Sequence, residues 1–197
     1  MAGRKPNPWD RRGEGSPSAV ARLGAARAQK AGATWEAQLD QFCEHYRVHG
    51  TAHIRQVGAP FRTIGPQKGR FMTGEYTGPG GCDFIGHING VPFEADAKHC
   101  SQPRWSYQLL EEHQARSLNA VAKHGGHAGL LLRLDDRGWW LPWADLGPLW
   151  WAWSKAKVRG ECAKRGTASL NLKRCMAIGR SFRGGDFLPA VLGGPRG

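Results

Sequence analysis

The chain has 197 residues, 40% of them hydrophobic, enough for one domain with a core and flanking tails. It has no apolar run of membrane-spanning length. It opens on a basic, polar segment without the apolar stretch of a secretory signal, so a cytoplasmic protein with no membrane partner is expected. The net charge of +12 is unevenly placed: residues 1–30 hold seven Lys/Arg against two Asp/Glu, residues 154–197 hold ten against two, and the acids collect between them. A charge of this size points to a polyanionic partner, nucleic acid first. A basic solubilising surface is the plainer alternative, and charge alone does not separate a nuclease from a DNA-packaging protein. The five cysteines are odd in number and form no CxxC pair, which argues against a disulfide framework or a zinc ribbon.

Residues 1–30, rich in Gly, Pro, Arg and Ala, are expected to form a flexible basic arm, with a short helix near Val20–Gln29. Arg4, Lys5, Arg11 and Arg12 are its candidate DNA contacts. Thr34 is the predicted N-cap of a helix from Trp35 to about Val48, on which Trp35, Leu39, Phe42 and Tyr46 fall at helical spacing. A strand is expected at Ala52–Val57. The Gly- and Pro-rich stretch 58–81 reads as a long loop or protruding element. Asn89-Gly90 joins two alternating apolar runs, Cys82–Ile88 and Val91–His99, and Asn-Gly between strands predicts a hairpin with a type I′ turn. An amphipathic helix over 105–124, ended by Gly125-Gly126, comes next. Strands at His127–Leu134 and Trp139–Trp143, a short Trp-rich helix at 144–153, a basic loop at 155–169 and an apolar last element at Asp186–Leu192 complete the chain. The predicted fold class is α/β, one domain over 31–192 with a central mixed sheet flanked by helices, and a tail at 193–197.

The hairpin carries the chemistry. Glu94, Asp96 and Lys98 are two residues apart, so on a strand they share a face. With Ile88 opposite Val91 across the turn, Asp83 falls opposite Asp96. Acids facing one another on a sheet destabilise it unless a cation compensates, and carboxylates suit Mg²⁺ or Mn²⁺. A solvated polar hairpin face explains any single acid–base pair, but here Phe84, Ile85, Phe93 and Ala95 alternate with the acids. No Walker A sequence is present, so no nucleotide cofactor is implied. His124-Gly125-Gly126-His127 has no acid or Cys partner at zinc spacing, so a zinc site is rejected. Trp139, Trp140, Trp143, Trp150, Trp151 and Trp153 read as core or as a dimer interface.

Asp83 followed by Asp96-Ala97-Lys98 resembles the PD-(D/E)xK nuclease superfamily, with Cys82 in place of the usual proline. The surroundings narrow the resemblance to RecU-type Holliday junction resolvases of bacteria or their phages. They are Gly32-Ala33-Thr34-Trp35-Glu36, His45-Tyr46, Gly50-Thr51-Ala52-His53-Ile54, Cys82-Asp83-Phe84-Ile85-Gly86, Phe93-Glu94-Ala95-Asp96-Ala97-Lys98, Glu112-His113-Gln114 and Trp139-Trp140-Leu141-Pro142. The resemblance implies a restriction-endonuclease-like fold and a homodimer that resolves four-way DNA junctions by paired nicks. It also implies metal ligation by Asp83 and Asp96, with Glu36 as an outer contact, and catalysis by Asp83, Asp96, Lys98, Glu94 and Gln114. The insertion at about 61–80, with Arg62, Lys68 and Arg70, lies where the family carries a junction-entering stalk. Another nuclease of the superfamily, or a non-catalytic basic DNA-binding protein, is the alternative.

Overall fold

The computed structural model describes residues 19–65, 73–78, 80–161 and 168–194, the side chains of 19–28 excepted. A 30-residue helix, α1, runs from Ala19 to Val48. The expected N-cap at Thr34 is corrected: Thr34 lies inside the helix and its Oγ1 donates to the Lys30 carbonyl at 2.9 Å, an i−4 bond. The Ala-rich stretch before it holds no proline after Pro17 and so continues the helix, which moves the start of the folded part ahead of the expected residue 30. Gly50, at φ 66°, ends the segment in the left-handed conformation that glycine adopts without strain.

Six strands form the central mixed sheet: β1 (His53–Gln56), β4 (Phe84–Ile88), β5 (Val91–Cys100), β7 (His127–Leu134), β8 (Arg137–Pro142) and β10 (Arg180–Phe182), in the order β1-β4-β5-β7-β8-β10. β5 and β7 are parallel; every other neighbouring pair is antiparallel. The expected hairpin is present in the expected register, with Ile88 opposite Val91 and Phe84 opposite Ala95. Asn89 and Gly90 both take positive φ, 50° and 80°, as a type I′ turn requires. The stretch 58–81 holds β2 (Phe61–Thr63) and β3 (Gly74–Tyr76), a two-stranded ribbon separate from the main sheet.

Alternation along the strands divides the core in two. Phe93, Ala95, Ala97, Leu131 and Trp140 face α1, where Trp35, Leu39, Cys43 and Tyr46 form its buried stripe. Trp35 also donates through Nε1 to the Leu131 carbonyl at 3.1 Å. On the other face Leu130, Leu132, Leu134, Trp139 and Leu141 pack under helices α2 (Glu112–Lys123) and α3 (Trp143–Val158). Trp139, Trp140, Trp143, Trp150 and Trp153 are all buried within this one chain, so these five indoles belong to its core and leave little apolar surface for an interface.

Three further expectations are corrected. The helix over 105–124 is only its second half: Arg104–Ser106 is a strand, β6, followed by a 3₁₀ turn at Tyr107–Leu109. Trp105 and Tyr107, two apart, are fully buried, a period-two pattern that a helix cannot satisfy. The basic segment 155–169 is helical to Val158 and reaches β9 at Ser169–Asn171, which pairs with β6; residues 162–167 lie outside the described ones. After β9 come α4 (Leu172–Ile178), N-capped by the Asn171 side chain, then β10 and α5 (Leu188–Val191), where a single terminal element was expected.

Candidate active site

Glu94, Asp96 and Lys98 share the face of β5 that α2 covers, as alternation demands, and Asp83 sits just before β4 on the neighbouring strand. Beyond the Phe84–Ala95 pair the ladder opens, and the Asp83 side chain takes over: its Oδ2 accepts the Ala97 N–H at 2.8 Å. Within a strand residue the C=O points to the same side as the N–H, so the Ala97 carbonyl also faces Asp83.

Asp96 is the most demanding group in the chain. It is 0% exposed, yet carries a carboxylate. Oδ1 accepts from Gln114 Nε2 at 2.6 Å. The Lys98 ammonium lies 2.7 Å from Oδ2, within ion-pair reach but without hydrogen-bond alignment, and no other donor serves that oxygen. Burial raises the Asp96 pKa to about 7; Lys98 opposes the rise and the Asp83 carboxylate adds to it. A buried oxygen with no aligned donor, next to a second carboxylate and a main-chain carbonyl, has the chemistry of a hard-cation site. Among the described residues no three or more His, Cys, Asp or Glu side chains cluster at metal-binding spacing, so the protein offers two carboxylates and leaves the remaining positions to carbonyl and water.

Helix α2 supplies the supporting contacts. Gln114 is its third residue. While its Nε2 reaches Asp96, its Oε1 accepts the Glu111 N–H at 3.1 Å in a capping box, so one side chain fixes both the helix start and the acid. One turn on, Ser117 donates to Glu94 Oε1 at 2.5 Å. Glu94 is thereby tied between sheet and helix, 8% exposed and one strand step back from the open end of the hairpin. Ser117 is not among the residues the sequence singled out; its i+3 spacing from Gln114 is the available signal. From the other side of the sheet Glu36 on α1 approaches the same end. It accepts from Gln56 Nε2 at 2.9 Å, and its pKa is raised by burial and by Asp83. Gln56, at the end of β1, gives no sequence signal of a role.

Arg62 lies on β2 opposite Glu75 of β3 and is ion-paired with it across the ribbon, both exposed. Lys68 and Arg70, and Arg4, Lys5, Arg11 and Arg12, fall outside the described residues.

An acid pair with an adjacent lysine, at the open end of a mixed sheet clasped by helices on both faces, defines a nuclease-like α/β protein. The family model of recombination protein U, RecU, matches residues 30–175, most of the chain, and the chain belongs to this family of Holliday junction resolvases. That membership makes it a recombination protein of the endonuclease kind. No curated protein matches the sequence significantly. Among the described residues no helix is long and apolar enough to cross a membrane.

Proposed function

We propose that this protein is a homodimeric, divalent-cation-dependent endonuclease that resolves four-way DNA junctions by paired nicks. The observation that carries the reading is the buried Asp96 carboxylate, held by Gln114 and Lys98 beside Asp83 at the open end of the hairpin.

Asp83 and Asp96 would hold Mg²⁺ or Mn²⁺, with the Ala97 carbonyl as a third protein ligand. When bound, the ion supplies a lowered pKa for a coordinated water and charge stabilisation at the leaving oxygen. The chain's own groups do the rest. Gln114 keeps the Asp96 carboxylate in one orientation through Oδ1, leaving Oδ2 for the cation. Lys98, 21% exposed at its side chain, has its ammonium at the site's mouth, where it orients the attacking water and offsets phosphate charge. Glu36, half-buried, accepts from a water on the outer side. The water oxygen bonds to phosphorus, one P–O ester bond breaks, and the departing oxygen takes a proton, leaving a phosphomonoester and a hydroxyl. Two protomers related by a twofold axis place two such sites on strands related by the junction's own near-twofold symmetry.

The test is cleavage of labelled four-way junction, linear duplex and single strand, with Mg²⁺ or with EDTA, alongside light scattering at micromolar concentration. Paired, Mg²⁺-dependent nicks in the junction by a dimer are expected. Equal cutting of linear duplex would leave a general nuclease, and no cutting with Mg²⁺ would leave a DNA-binding protein.

A further inference from the structure

We propose that a cleft at the far edge of the sheet, lined by Arg137, Ser181 and Arg183, binds a backbone phosphate of the DNA several nucleotides from the scissile bond. The proposal rests on the reading of the chain as an endonuclease, which fixes where the DNA must pass.

The sheet register sets the position. Lys98 is level with Leu132, Leu132 with Trp139, and Trp139 with Ser181. Cys100 is level with Leu134, which pairs with Arg137. Arg183 follows Phe182, whose partner Gly138 adjoins Arg137. The two arginines therefore leave the sheet at the same end as Lys98, two and three strands away from it. With strands about 4.8 Å apart and a rise of about 3.3 Å per residue, the cleft lies roughly 15–20 Å from the acid pair. That is the axial rise of about five nucleotides of one strand of duplex.

The cleft is built for an anion. Its volume is about 430 Å³, with Phe182, Pro189 and Ala190 as an apolar wall. Arg137 and Arg183 are exposed, and among the described residues neither is in an ion pair. Nearby cations differ: Arg133 is held by Gln38 and Asp136, and Arg180 donates to the Ala190 carbonyl. Asp186 is the acid of the lining, but its Oδ1 accepts the Tyr46 hydroxyl at 2.7 Å, which turns that oxygen to the core. Two guanidiniums beside a serine hydroxyl can grip a phosphodiester with several charge-assisted bonds.

The experiment measures binding of the full chain to a labelled four-way junction and a linear duplex in EDTA across a salt series, with Mg²⁺-dependent cleavage assayed in parallel. Arg137→Gln with Arg183→Gln should lower the slope of log affinity against log salt by about 1.8 on both DNAs, since each phosphate contact contributes about 0.9. The affinity lost between 50 and 200 mM salt then shrinks about twelvefold. Arg137→Lys with Arg183→Lys keeps the charges and should keep the slope. A slope equal to that of the unsubstituted protein in the Gln variant overturns the phosphate cleft, whatever the cleavage result. A lowered slope in a protein that cuts no DNA with Mg²⁺ upholds the cleft and overturns the endonuclease reading instead.

Discussion

Replacing Asp96 by Asn should abolish cleavage and at the same time stabilise the metal-free fold above neutral pH. Burial lifts the Asp96 carboxyl from an ordinary 3.8 to about 7. Between those values the folded chain keeps a proton that the unfolded chain has released. Stability therefore falls as pH rises through that window, and levels off above about 7. The full separation corresponds to roughly 4 kcal/mol, and relaxation around the Lys98 ammonium reduces this to about 2 kcal/mol. Asn is neutral, close to isosteric, and its carbonyl still accepts from Gln114. The variant should then melt about 4–8 °C above the parent at pH 8 in EDTA, and level with it near pH 4. Mg²⁺ should raise the melting temperature of the parent but not of the variant. Thermal denaturation at the two pH values checks this. The same melting difference at both, or an Asp96→Asn variant less stable than the parent at pH 8, would refute the account of Asp96 as a strained acid waiting for a cation.

Gln114→Leu removes the donor to Asp96 and the acceptor of the α2 capping box together. It should cost about 1–2 kcal/mol by denaturant titration and lower kcat more than it raises KM. Deleting residues 1–18, which removes Arg4, Lys5, Arg11 and Arg12 without cutting α1, should reduce the salt slope of DNA binding by up to about 3.6, read from a salt titration. An unchanged slope would make the arm incidental. Lys68→Ala with Arg70→Ala should weaken junction binding more than duplex binding in gel-shift titrations, because phosphates crowd at a junction centre. Equal losses would deny the insertion a part in junction choice.

The legibility of this chain follows the range of the interactions involved. The hairpin is local: Asn89-Gly90 fixes the turn, the turn fixes the register, and the register sets Asp83 opposite Asp96 before any tertiary contact is considered. Strand β7 was equally legible, because a Leu-rich run covered on both faces of a sheet is a local pattern too. The second half of the chain was harder to read. Trp105 and Tyr107 look helical beside the real helix that follows them, and only their burial against Trp150 and Trp153 decides for a strand. The partner of that strand, Ser169–Asn171, lies more than sixty residues on and has three residues of its own to announce it. Likewise the cap at Thr34 failed because Ser/Thr followed by an apolar stripe signals a helix start only where the preceding segment is not already helical.

The site shows the same division and gives it a physical meaning. The sequence places the acids and Lys98 on one hairpin, but two like charges there oppose the sheet that carries them. What makes the pair tolerable comes from elsewhere in the chain: Gln114 and Ser117 from α2, and the Ala97 N–H freed by the opened ladder. These contacts satisfy Asp83, Glu94 and one oxygen of Asp96, and leave the other oxygen buried with a lysine that is close but misaligned. A protein selected for stability alone would have completed that last bond or replaced the acid by an apolar residue. Leaving it incomplete makes sense when a cation and its waters supply what the fold withholds, so that binding energy which would otherwise stabilise the empty site is kept for the loaded one.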